Sequence, residues 1–168
     1  MIFVTVGMHN QGFDRLIEKC DLLAGQIEDK MIIQKGSTSY CPRNAEYFDF
    51  ASNEEFLKLI RQSSTVITHD GAGSILNCLL NKKRTIVVPR LKEYNECRYD
   101  NKLDLALELH KMKKIHLVTD LALLTPELIR DAKAANSDQF ENTLLINIKK
   151  YITKYVVGNT VIDMKKSI

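Results

Sequence analysis

The chain has 168 residues, 45% of them hydrophobic and 27% charged, with a formal net charge of +3. That length and balance suit one globular domain, two at the most, with a core that needs no staples. The charge is too small to point to nucleic acid, and no run approaches the roughly 20 apolar residues that span a bilayer.

Four cysteines stand at 20, 41, 78 and 97, none in a C-x-x-C pair. Zinc-finger and thioredoxin-like chemistry are therefore not indicated, and a reduced, cytoplasmic compartment is expected. Cys20 and Cys78 fall on helical patterns and read as small core residues.

Residues 2–6 are apolar and β-branched, ended by Gly7. They predict a buried first strand and not a signal peptide. Phe13, Leu16, Ile17, Cys20, Leu23 and Ala24 then recur at helical spacing. Residues 31–34 predict a second strand, stopped by Gly36, and residues 37–46 a polar loop. Residues 47–50 are a short strand candidate, and Asn53 is the expected cap of a helix carrying Phe56, Leu57, Leu59 and Ile60. Val66 and Ile67 lead a strand into Gly71-Ala72-Gly73-Ser74, and a helix over about 74–81 follows at once.

The run from Thr85 to Pro89 is the most strand-like in the chain. Residues 90–99 form a charged loop, and Leu103, Leu105, Ala106 and Leu109 mark another helix. A last strand is expected over 115–118, and Thr125-Pro126-Glu127 opens a helix with a cap and a proline at its first position. A final helical segment is expected over about 138–157, within a single domain of residues 1–168.

Strands alternate with helices, and several strands are uniformly apolar. This predicts an α/β fold: a doubly wound parallel sheet, Rossmann-like, covered on both faces. Ligands of such folds sit beyond the carboxyl ends of the strands. The loops after residues 6, 34, 69 and 89 would then share one rim.

On that rim the Gly71–Ser74 turn is the first candidate. A strand, a glycine turn and a helix start aim unpaired backbone N–H groups and a positive dipole end at one place. Small residues let a pyrophosphate approach, and Ser74 can donate a hydroxyl hydrogen bond. The competing reading is a tight strand-to-helix turn with no ligand. The chain has no G-x-x-x-x-G-K-[ST] loop, and the spacing around Gly7 and Gly12 does not fit the dinucleotide fingerprint. His9 and His69 both follow strands. His9 is the candidate general base, and His69 could hydrogen-bond a ligand or lock the turn. Arg90, Glu93, Glu96, Arg98, Asp100 and Asn101 crowd the next rim loop, where carboxylates and amides suit sugar hydroxyls. No Asp-x-Asp pair exists, so no metal site of that type is expected.

Taken in order, Ile2–Gly7, Phe13–Ile17, Ile33-Gln34 with Gly36-Ser37, Thr68–Ser74, Ile86–Arg90 and Asp100-Asn101 resemble the C-terminal, donor-binding domain of family 28 glycosyltransferases. The similarity covers roughly residues 1–130. It is similar in particular to stand-alone small subunits: the PssE-like type of bacterial exopolysaccharide enzymes, and the cytosolic catalytic subunit of the two-subunit N-acetylglucosaminyltransferase of the dolichol pathway. The resemblance implies one half of a GT-B fold and an inverting transfer from a UDP-sugar with no cofactor. It also implies a membrane-anchored acceptor-binding partner subunit and a lipid-linked acceptor. The protein would then be cytoplasmic and peripheral at the membrane through that partner.

The implied donor-binding set is Gly7, Gly36, Ser37, His69, Gly71, Ala72, Gly73, Ser74, Asn77, Arg90, Glu96, Asp100 and Asn101, with no metal ligand. Met8 stands where relatives often carry Thr, Asp70 where many have a small residue, and Asn77 near a common ribose-binding Glu. Cys97 replaces the His of a frequent Glu-His pair. An alternative is a non-catalytic, nucleotide-binding or stabilising subunit of such a complex. The apolar face of Leu144, Ile148, Tyr151, Ile152 and Tyr155 is the expected partner-docking element.

Overall fold

Four central strands are almost wholly buried, as their uniformly apolar sequences require. In the computed structural model, which describes residues 1–98 and 103–134, they are β1 (Ile2–Thr5), β2 (Met31–Gln34), β4 (Thr65–His69) and β5 (Arg84–Val88). The edges are β3 (Glu46–Phe48) and β6 (His116–Leu117). All six pair in parallel, in the order β3-β2-β1-β4-β5-β6. The doubly wound Rossmann-like expectation is met.

The helices are α1 (Asp14–Ala24), α2 (Asn53–Gln62), α3 (Ala72–Leu80), α4 (Asp104–Lys111) and α5 (Pro126–Ala134). Alternate strand residues divide the core between the two faces of the sheet. Ile2, Val4, Val6, Ile67 and Ile86 pack with Leu16, Ile17, Cys20 and Leu23 of α1 and Ile129 of α5. Phe3 and Val66 point the other way, to Phe56 and Ile60 of α2 and Cys78 of α3. Phe3 meets Phe56 edge-on at 5.9 Å. Cys20 and Cys78 are core residues, as expected, and burial pushes the Cys78 thiol up to about 12, leaving it inert.

The element ends depart from the sequence reading in small, explicable ways. Ser52, not Asn53, caps α2: its hydroxyl accepts the Glu55 amide while the Glu55 carboxylate accepts the Ser52 amide. Helix α3 starts two residues earlier than expected because Ala72 and Gly73 already lie in its first turn. The charged loop after β5 contains a short 3-10 turn, Lys92–Tyr94, and a second one, Leu121–Leu123, precedes α5. The segment about 138–157, and with it the docking face, lies outside the described residues.

Candidate ligand site at the strand ends

Strands β1 and β4 are neighbours, yet the chain leaves β1 toward β2 and leaves β4 toward β5. The loops beyond their carboxyl ends therefore diverge and open the crevice where doubly wound folds hold ligands. The rim loops touch one another there. Ser37 donates its hydroxyl to the His9 carbonyl at 3.3 Å, and Gln34 Nε2 donates to the Gly7 carbonyl at 3.5 Å. The Arg90 amide donates to Asp70 Oδ1 at 3.3 Å, so that carboxylate engages the β5 loop.

The start of α3 lies in this crevice. Gly71 is its N-cap residue and offers no side chain, and its first turn holds no acidic group. Ala72 and Gly73 are exposed, and a Cβ built at Gly73 would meet nothing within 4 Å. Half-buried Ser74 and Asn77 follow on the same helical face, three positions apart. Free amide hydrogens, the positive end of a helix dipole and open space are the features that attract an anionic oxygen.

His69 closes the floor of the crevice. Its Nδ1 accepts the Gly71 amide hydrogen at 3.0 Å, and its Nε2 lies 3.2 Å from Ser74 Oγ. Burial first, and the Arg90 charge next, lower its pKa to about 4, against a smaller opposing effect of Asp70. The ring explains two glycines. A Cβ at Gly7, whose φ is +74°, would fall 2.4 Å from Nε2, and one at Gly71 would fall 2.2 Å from Cε1. The imidazole fills the space where a Gly71 side chain would stand, and Gly73 is the open position. Gly36, with φ +55°, is buried against Val6 and the Gly7 carbonyl, so it too serves the frame.

Arg90 and Glu96, expected to face a donor, are 3% exposed each. The Arg90 guanidinium donates to the carbonyls of Val6, Gln11, Gly12 and Glu96 and stacks over Phe13 at 4.8 Å. Both Glu96 oxygens receive the Arg15 guanidinium, at 2.7 and 3.0 Å, and Oε2 also accepts the Leu91 amide. These charges tie the β1 loop to the β5 loop. Asp100 and Asn101 lie outside the described residues.

Sequence reasoning missed Arg15, Gln11 and Thr5 as parts of this frame. Gln11 donates to the Asn95 carbonyl at 2.9 Å, and Thr5 Oγ1 accepts the Gly7 amide at 3.2 Å. A polar Thr5 and Gln34 in otherwise apolar strands were the available signal. Phe50 was also missed. It is 49% exposed on the rim next to Gly36 and borders a cavity of about 370 Å³ with Phe48, Ala51, Glu55, Lys58, Leu59 and Gln62.

His9 is exposed, and its Nδ1 accepts the Gln11 amide hydrogen at 3.1 Å. Desolvation, then the charges of Arg90 and Arg98, lower its pKa. A neutral ring with an accepting Nδ1 carries its hydrogen on Nε2. Among the described residues no three His, Cys, Asp or Glu side chains are grouped to hold a metal ion.

A doubly wound parallel sheet with an open, uncapped helix start at its switch point defines a Rossmann-like ligand-binding domain. More particularly, the chain belongs to the glycosyltransferase family 28 C-terminal domain family, whose model matches residues 1–143. No curated protein matches the chain. Among solved structures it is similar to the glycotransferase of kitacinnamycin, with TM-score 0.56 and 19% identity over 82% of this chain and 35% of that one. It is similar to the glycosyltransferase SnogD from Streptomyces nogalater, with TM-score 0.56 and 18% identity over 79% and 35%. It is also similar to the spinosyn forosaminyltransferase SpnP, with TM-score 0.58 and 14% identity over 91% and 39%. At these identities the likeness is one of fold, that of one half of a GT-B glycosyltransferase. The chain spans little more than a third of each of those structures.

Proposed function

We propose that this chain is the donor-binding catalytic subunit of a two-subunit inverting glycosyltransferase. It would move a sugar from a UDP-sugar to a lipid-linked acceptor, as the resemblance to stand-alone small subunits implies. The carrying observation is the start of α3: exposed Ala72 and Gly73, no capping side chain, no acidic group in the first turn, and clear space above Gly73. There the diphosphate would meet the free amides and the Ser74 hydroxyl. The same groups would stabilise the negative charge that grows on the leaving UDP as the sugar departs. Asn77, one turn on, would meet a ribose or sugar hydroxyl. Phe50 offers a flat exposed face to a nucleobase.

The acceptor hydroxyl must lose a proton during in-line attack. His9 can take it only after its Nδ1 releases the Gln11 amide, so the base is assigned to the acceptor-binding partner. That partner, membrane-anchored in this reading, would supply the facing half of the cleft and bring the chain to the membrane. Among the described residues no helix is long and apolar enough to cross one.

The burial of Arg90 and Glu96 favours a second reading, a nucleotide-binding subunit without its own catalytic groups. Titration calorimetry of the chain with UDP tests the site. Ser74→Ala and Asn77→Ala are each expected to weaken binding by about ten-fold, the loss of one good hydrogen bond to a charged or polar partner. Unchanged affinity in both would remove the donor from this turn. Transfer by the reconstituted pair that survives both substitutions would favour the non-catalytic reading.

A further inference from the structure

His69 spends both ring nitrogens inside the protein. Nδ1 accepts the Gly71 amide hydrogen at 3.0 Å. A nitrogen that accepts carries no proton, so the hydrogen of the neutral ring sits on Nε2. Nε2 lies 3.2 Å from Ser74 Oγ. The ring therefore donates, and the serine oxygen accepts. A hydroxyl has a single hydrogen, and Ser74 makes no other hydrogen bond among the described residues. That hydrogen is left for a ligand.

We propose that His69 is a positioning residue that sets the polarity of the site: fixed by the Gly71 amide, it makes Ser74 present an O–H donor, not a lone pair, to an anionic oxygen of the bound diphosphate. The inference rests on the donor-site reading above. With the other tautomer, Ser74 would donate to Nε2 and turn its lone pairs toward the anion, which would repel it. The ring is walled in by the backbones of Gly7 and Gly71, where added Cβ atoms would fall 2.4 and 2.2 Å from it. It also stays uncharged at neutral pH, because burial and the nearby charge of Arg90 outweigh that of Asp70. A hydroxyl that accepts from an N–H is in turn a stronger donor, so the pair acts as a short cooperative chain.

The test uses the full chain and UDP. Long-range ¹H–¹⁵N spectra are expected to show His69 as the Nε2–H tautomer at pH 7, with and without UDP. His69→Gln can present an amide N–H near the position of Nε2, and should keep UDP affinity within about three-fold of wild type. His69→Asn can still accept from Gly71 but cannot reach Ser74, and should lose about ten-fold, as should Ser74→Ala. Because the two residues act as one unit, the double variant should lose no more than either single one. A proton on Nδ1, or losses that multiply in the double variant, would overturn the role given to His69. If wild type fails to bind UDP, the donor-site reading falls and this inference with it. The two failures are distinguishable, since in the first UDP still binds.

Discussion

A Cβ at Gly73 would meet nothing within 4 Å, whereas one at Gly71 would strike the His69 ring. Two glycines of one turn therefore respond oppositely to the same change. Gly73→Ala adds a methyl to a helical first turn, where lower chain entropy in the unfolded state stabilises by about 0.5 kcal/mol. The same methyl would occupy the space that a diphosphate needs. The expected outcome is an unchanged or slightly raised melting temperature with UDP affinity reduced by about ten-fold or more. Calorimetric titration beside thermal melting checks both. A variant that is folded and binds UDP like wild type would move the phosphate elsewhere. The turn was legible because its evidence is local: strand, small residues and helix start stand side by side in the sequence. Arg90 and Glu96 were not. The Arg90 partner Val6 is 84 positions away and the Glu96 partner Arg15 is 81 away. A charged loop reads the same whether its charges are solvated or buried, and only the three-dimensional pairing tells.

At the scale of elements, the connection from β2 to β3 is unusual. It crosses between parallel strands through residues 35–45 with no helix. Buried Asp21 of α1 takes the helix's place. Its carboxylate accepts the backbone amides of Arg43, Asn44 and Ala45 and the Tyr40 hydroxyl, at 2.7 to 3.1 Å. Those bonds hold its pKa below the ordinary carboxylate range, although burial opposes them. Ser37 and Gly36 of the rim belong to the same loop. Asp21→Asn keeps the shape but replaces an accepting oxygen by a donor that faces amide hydrogens. It should cost about 2 kcal/mol, the range for losing hydrogen bonds to a buried charged group. Urea unfolding reads this as a lower midpoint at unchanged slope. A loss under about 0.5 kcal/mol, the scale of an ordinary surface change, would show that the loop is held otherwise. Asp21 was readable in principle: it lies four positions after Ile17, on the apolar stripe of α1. The helix stops were harder to see. Lys82 and Lys113 adopt φ +54° and +56°, in a conformation that favours glycine, and no glycine marks either end.

For the molecule as a whole, these buried groups combine into a dependence of stability on pH. His69 has a folded pKa of about 4 against an ordinary 6.5. Between those values the unfolded chain binds a proton that the folded chain refuses. Stability must then fall as the pH drops from about 6.5, with the loss complete near pH 4 and at most about 3 kcal/mol in size. His116, lowered chiefly by burial, and His9 add smaller contributions of the same sign. Asp21 acts in a separate, more acid window. Its folded pKa is depressed, so its stabilisation is present above the ordinary 3.8 and disappears only as the pH falls below it. Urea unfolding at pH 7, 5.5 and 4.5 should therefore show a progressive loss in wild type. In His69→Gln, which has no imidazole to charge, most of that slope should vanish while the more acid loss remains. Equal slopes in the two proteins would mean that His69 is not held neutral between Gly7, Gly71 and Ser74. The floor of the proposed donor site would then have to be drawn again. A slope that disappears with the ring would show that the group shaping the site also sets the acid limit of the fold.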